Sequence, residues 1–332
     1  MKLVSFVVSG EERLGFLAGD AVVDPIRAGG DPKLFGSAST FIKASDAGRK
    51  AAAAMLANPP SAARLARKDV TLTAPIRPST LLFSGSNYHD HNAEKANAPI
   101  SGKEPEFFVK PTDCVIGPNE PLLHDPAISK KIDCETELAI VIGKPGRFIE
   151  TARALDHVFG YTIVNDVTAR DRQVRRTPEG MTWYELGSGK AFDSGAPLGP
   201  CIVTADEIAN PNDLLVRFWN DGQLRHNYNT DDMEHHVPEL IEFATTVMTL
   251  LSGDIIACGT NHEGLGALQD GETVEIEIQG IGRMSLKVAD PLKRTWERGV
   301  YMGVDSTHPE AVKRHRPRDA GASGSQPEKQ ST

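Results

Sequence analysis

Residues 133–143, DCETELAIVIG, alternate in the manner of a strand. Successive strand side chains point to opposite faces. Cys134, Thr136, Leu138, Ile140 and Ile142 therefore share one face, which reads as core. Glu135, Glu137, Ala139 and Val141 share the other, so the segment is expected to be half-buried with two acids side by side at its head. Two like charges at that spacing repel, and either can be driven to protonate. A positive group is expected between them. The plainer alternative is an edge strand with two surface acids.

The same patterning divides the chain. Residues 2–8 and 14–23 read as two strands around a polar turn at SGEER. An alanine- and lysine-rich helix is predicted over 39–57 and stopped by NPP at 58–60. Residues 1–75 thus form a small α+β domain. From about 80 to 290 the pattern changes to short strands and Gly/Pro/Asp turns: ELAIVIG, VFGYTIVND, LLVRFWNDGQLRHNY, GDIIACGT and GETVEIEIQGIGRMSLKV. The NDGQ at 220–223 marks a hairpin. VPELIEFATTVMTLL, 237–251, has helical spacing, with Leu240, Phe243, Ala244, Val247 and Leu251 on one face and Pro238 in the first turn. The predicted fold class is α+β, mainly β, with a catalytic domain at 76–292. A C-terminal extension, 293–332, is expected to be disordered from about 313, where apolar residues almost vanish.

Composition narrows the partners. The 332 residues are 39% hydrophobic and 24% charged, an ordinary globular balance, with net charge −9. That charge argues against non-specific nucleic-acid binding. The four cysteines are scattered, without a CxxC pair, so neither a disulfide framework nor a zinc knuckle is expected. There is no signal-peptide pattern and no apolar run of the roughly 20 residues that span a bilayer. A cytoplasmic setting is the expectation. Walker, dinucleotide-binding and HExxH motifs are absent, and no Ser-His-Asp arrangement can be traced from spacing.

Several segments carry candidate chemistry. Glu135 and Glu137 suit a hard cation, Mg²⁺, Mn²⁺ or Ca²⁺, which prefers carboxylates and water. Asp166, at the end of GYTIVND, offers a third carboxylate, although it also fits as the cap of a following helix. In SGSNYHDHNAEK, His91 and Glu94 are three apart and share a helix face. A carboxylate beside an imidazole orients it as a general base; His89 competes with His91, and a solvated helix start is the alternative. Lys190, flanked by Gly189 and an apolar AF, is a candidate pocket cation rather than a surface charge. GDIIACGTNHEGLG ends a strand in a glycine-bearing loop, where a backbone can approach a ligand and His262 can simply be exposed.

Together, NYHDHNAE, FFVKP, DCETELAIVIG, GYTIVNDVTARDRQ and KAFDSGAPLGP, followed by GDIIACGT, resemble the fumarylacetoacetate hydrolase family in order and spacing over about 80–290. The resemblance is to the branch of acylpyruvate hydrolases and 2-hydroxyhepta-2,4-diene-1,7-dioate isomerases. It implies a mixed β-roll catalytic domain, a homodimer, and a divalent cation, Mg²⁺ first, held by Glu135, Glu137 and Asp166. It also implies catalytic roles for His91, Glu94 and Lys190, and substrate contacts from Tyr88, Arg170, Gln173 and Thr260. The cation then answers the repulsion between the glutamates. Cys134 stands where many members have Tyr, GTNHEG where many have GTP, and Gly195 where many are bulkier. The last two changes bear on the substrate tail rather than the metal ligands.

The implied substrates are small anionic 2-oxo acids. Cleavage of a C–C bond in a 2,4-diketo acid through a metal-held pyruvate enolate is the expected reaction. Isomerisation, tautomerisation or decarboxylation of a 2-oxo dicarboxylic acid is the alternative. A binding module that has lost turnover is a third reading, against which His91, Glu94 and Lys190 speak. A lid is expected around 91–103.

Overall fold

The computed structural model describes residues 1–93, 103–262 and 264–295. Glu94, most of the expected lid and the C-terminal tail lie outside the described residues.

The strand Thr136–Ile142 is buried along its whole length and on both faces, not one. It lies inside a twelve-stranded sheet, antiparallel to Val158–Asn165 on one side and to Ile255–Ala257 on the other, so it is not an edge. The predicted alternation holds, and each face meets a different apolar layer. Leu138, Ile140 and Ile142 pack with Val216, Phe218, Val274 and Ile276 of a second, five-stranded sheet. Ala139 and Val141 pack with Phe35, Phe41, Ile42 and Ala52 from the N-terminal helices. Small side chains on that face admit the helices. The glutamates at the strand's head are thereby sealed in rather than solvated.

The first 75 residues extend the same sheet. Lys2–Val8 pairs with Ala196–Thr204, and Glu11–Ala18, Ala21–Val23 and Arg64–Ala66 continue it outward. Phe41 meets Phe159 edge-on at 6.0 Å, joining the helical layer to the central strands. Two local readings are corrected here. The turn is Ser9–Gly10, both with positive φ, so Glu11–Arg13 belong to the second strand, and a further turn at Gly19 divides 14–23 into two strands. The single helix over 39–57 is two, Ala38–Lys43 and Ser45–Ala57, because Ser45 takes φ 51°.

The second sheet runs Gln223–Asn229, Leu215–Asn220, Thr273–Ile278, Gly282–Ala289, Leu122–Leu123. Its first hairpin turns at Asp221–Gly222, both with positive φ, as NDGQ predicts. The helix Val237–Val247 buries Val237, Leu240, Ile241, Ala244 and Thr245. The predicted stripe is corrected: Val247 and Leu251 are exposed because the helix ends at Val247. The chain is mainly β with few helices, as its pattern predicts.

Candidate metal centre

Register builds the acidic cluster. Thr136 pairs with Asn165, so Glu135 and Glu137 flank a position directly opposite the last residue before Asp166. Asp166 N–H donates to Glu135 O at 2.8 Å, and Glu135 N–H donates to Asn165 Oδ1 at 3.0 Å. These bonds lock the two strand ends together. Glu135, Glu137 and Asp166 each bring a ligand oxygen within 4.8 Å of the others, and all three are buried. Asp166 does not cap a helix; Ala169 occupies the N-cap of the short helix Arg170–Gln173. Cys134 points the other way, and its Sγ accepts from Asn165 Nδ2 at 2.9 Å.

Buried carboxylates need charged partners. Lys190, the last residue of the helix Leu186–Lys190, donates from Nζ to Glu135 Oε2 at 2.8 Å, Asp166 Oδ2 at 2.5 Å and Thr168 Oγ1 at 2.7 Å. The positive group expected between the acids is thus present in the chain itself. Arg170 grips Asp133 Oδ2 at 2.7 Å through Nε and donates to Glu135 Oε1 through Nη2. It also donates to Gln173 Oε1 at 3.0 Å. Burial pushes the Glu135 carboxyl up, but Lys190, Arg170 and His262 outweigh it and hold the group well below the usual range. Glu137 goes the other way: burial, then Asp166 and Glu135, raise it well above that range. Burial would lower Lys190, yet Asp166 and Glu135 raise it. Burial lifts Asp133 to about 6 against the pull of Arg170.

Lys110, the lysine of FFVKP, is part of this centre and was not singled out by its motif. Its Nζ lies 2.5 Å from Asp166 Oδ1 and donates to the carbonyls of Val167 at 3.0 Å and Gly195 at 2.6 Å. Asp133 and Thr168 join the cluster too, the Thr168 hydroxyl donating to Glu135 Oε1 at 3.2 Å. For Lys110 the available signal was a lysine closing the apolar run 107–109.

The histidines separate. His89 is exposed and pairs with Glu234 Oε2 at 2.6 Å, away from the acids. His91, in the helix His89–Ala93, is buried, and its ring centroid lies 3.4 Å from that of His262. His262 Nε2 in turn lies 3.8 Å from Glu135 Oε1. The exposed-loop alternative for His262 is therefore corrected: its side chain is only 16% accessible and faces the cluster. Gly259 in the same loop donates its N–H to Glu137 Oε2 at 2.7 Å. It does so at φ +83°, where a Cβ would also press to 3.0 Å from Ser84 O. Thr260 is buried, its Oγ1 3.1 Å from the Tyr228 hydroxyl. Tyr88 is sealed from solvent, its ring edge-on to Tyr228 at 5.2 Å.

An oxygen-only set of three buried carboxylates, one of them raised by burial and by its carboxylate neighbours, fits a hard divalent cation. Comparison with known proteins agrees. Residues 80–289 match the family described as fumarylacetoacetate (FAA) hydrolase, C-terminal. The chain belongs to the fumarylacetoacetate hydrolase family. A mitochondrial oxaloacetate tautomerase of Bos taurus is 39% identical over 232 residues, 68% of this chain and 71% of that one. The fumarylacetoacetate hydrolase fold also recurs in solved structures. Maleylpyruvate hydrolase from Sphingobium sp. SYK-6, in complex with manganese(II) and pyruvate, is 32% identical with a TM-score of 0.72, covering 87% of this chain and 99% of that one. A 2-hydroxyhepta-2,4-diene-1,7-dioate isomerase from Mycobacterium marinum is 30% identical with a TM-score of 0.66, covering 88% and 99%. These relatives are enzymes, and one of them is seen with a divalent metal. Among the described residues, no helix is long and apolar enough to cross a membrane.

Proposed function

We propose that this protein is a metal-dependent hydrolase that cleaves a C–C bond in a 2,4-diketo acid. The observation that carries the reading is the joining of the buried acidic triad, through Glu135, to His262 and the His91 ring tilted against it. Glu135, Glu137 and Asp166 would hold the cation, Mg²⁺ or its close substitute Mn²⁺, which when bound supplies Lewis-acid polarisation to the oxygens of a 2-oxo acid.

The remaining work falls to the chain. Arg170 and Gln173 would bind the substrate carboxylate, with Thr260 lining the same floor. His91 would take a proton from water, Glu94 orienting it, and the hydroxide would add to the C4 carbonyl carbon. The Lys190 ammonium would stabilise the oxyanion that forms there. Collapse of that adduct breaks the C3–C4 bond. The bonding pair leaves on C3 as the pyruvate enolate, and protonation at C3 releases pyruvate and a carboxylic acid. We assign the active species to a homodimer, which light scattering of the purified protein checks.

Tautomerisation is the second reading, favoured by the oxaloacetate tautomerase among the relatives. It moves a proton through the same enolate and needs no water-activating base. Incubation with Mn²⁺, a panel of acylpyruvates and oxaloacetate separates the two. Release of pyruvate from acylpyruvates supports the hydrolase. Keto–enol exchange of oxaloacetate without cleavage of any acylpyruvate replaces it with the tautomerase.

A further inference from the structure

Each carboxylate of the triad has one oxygen beside a fixed protein cation or N–H. Asp166 Oδ1 faces the Lys110 ammonium at 2.5 Å. Glu137 Oε2 accepts the Gly259 N–H at 2.7 Å. Glu135 Oε1 accepts from Arg170 Nη2 and from the Thr168 hydroxyl at 3.2 Å. The second oxygens are Asp166 Oδ2, Glu137 Oε1 and Glu135 Oε2, and a cation would have to displace the Lys190 ammonium to reach the first and the last. The Asp166 and Glu135 members of that set converge on Lys190 Nζ.

Resting on the reading of this triad as the metal site, we infer that Lys110 is a positioning residue that sets ion selectivity by confining Asp166 to a single ligand oxygen. Its ammonium donates to the carbonyls of Val167 and Gly195, and Asp166 Oδ1 lies 2.5 Å away as an ion pair. An ammonium held by two backbone carbonyls keeps its position beside that oxygen. Lys110 is wholly buried, so solvent does not compete for those bonds. A bidentate grip would require Asp166 to turn both oxygens to one ion, drawing Oδ1 off Lys110 and bringing the ion towards a fixed positive charge. A site offering three single oxygens suits a small six-coordinate cation that fills its shell with water and substrate. Ca²⁺, which takes six to eight oxygens and commonly a bidentate carboxylate, gains little there. Arg170 acts on Glu135 in the same sense.

Isothermal titration of the full-length protein with Mn²⁺, Mg²⁺ and Ca²⁺, each alone, tests this without reference to turnover. The wild type is expected to bind Mn²⁺ roughly tenfold or more tightly than Ca²⁺, and Lys110→Met to move that ratio at least about fivefold towards Ca²⁺. Arg170→Met, at a partly accessible side chain, is expected to move it the same way, and serves if Lys110→Met does not fold. A wild type that binds Ca²⁺ as tightly as Mn²⁺ overturns the inference. So does a folded Lys110→Met that weakens all three ions alike, which is what a merely structural lysine would give. Absence of binding by any ion overturns the metal-site reading itself, and the inference with it.

Discussion

Lys190 Nζ lies 2.5 Å from Asp166 Oδ2, a buried ammonium against a buried carboxylate, and reaches Glu135 from the same position. Breaking a buried pair by removing one partner leaves an uncompensated charge, at a cost of about 3–5 kcal/mol. Lys190→Met is therefore expected to lower the melting temperature of the metal-free protein sharply. The lost positive charge also removes repulsion towards a cation. Mn²⁺ should then raise the variant's melting temperature more than the wild type's, while turnover is lost. Differential scanning fluorimetry with and without Mn²⁺ reads both effects.

Among the described residues, Glu137 is the acid of the triad with no lysine or arginine ion pair; its Oε2 accepts the Gly259 N–H. Glu137→Gln keeps the shape and an acceptor for that N–H, and removes one of three mutually repelling charges. The metal-free variant should be as stable as the wild type or more so, by up to about 1–2 kcal/mol. Mn²⁺ binding should fall by two orders of magnitude or thereabouts, because a neutral amide replaces a ligand carboxylate. Urea melts and Mn²⁺ electron paramagnetic resonance check the two halves separately.

The His91–His262 contact separates base from neighbour. His91→Ala should reduce acylpyruvate cleavage by roughly 10²–10⁴ while leaving Mn²⁺ affinity unchanged, the range expected for removing a general base. His262→Phe keeps a ring against His91 and loses the nitrogen near Glu135. It should retain much more of kcat than His91→Ala. Equal losses in the two variants would make the pair, rather than His91 alone, the base.

His226 is fully buried on the strand Gln223–Asn229 beside Phe218 and Tyr228, and burial pulls its pKa from 6.5 down to about 3. The folded state then refuses a proton that the unfolded chain accepts below about 6.5. Stability from this group is unaffected above that pH and is lost as pH falls from about 6.5 towards 3, at about 1.4 kcal/mol per pH unit. Asp133, raised to about 6, works in the opposite direction over part of the window, gaining stability as pH falls towards its unfolded value. The difference between wild type and His226→Phe isolates the histidine. The variant's stability should decline less steeply between pH 6 and 4 in urea melts, by about that slope.

Some of this was local and legible in the chain. The alternation over 133–143 is a period-2 property that any strand must obey, so it placed Glu135 and Glu137 on one face before a fold was known. The Asp221–Gly222 turn was legible for the same reason, since positive φ at two successive positions restricts the residues that fit. The family resemblance of the ordered motifs tied Asp166, His91 and Lys190 to one site. What tertiary structure alone decided was burial and partnership. Helices from 32–57 cover one face of Thr136–Ile142 and a second sheet covers the other, and nothing within the strand states which layers will arrive. The choice of His91 over His89, and the recruitment of Lys110 and His262, came from positions up to 171 residues apart, from His91 to His262, meeting around one cluster. Sequence period determines which way a side chain points. Only packing determines what it meets, because desolvation and charge pairing act through space rather than along the chain.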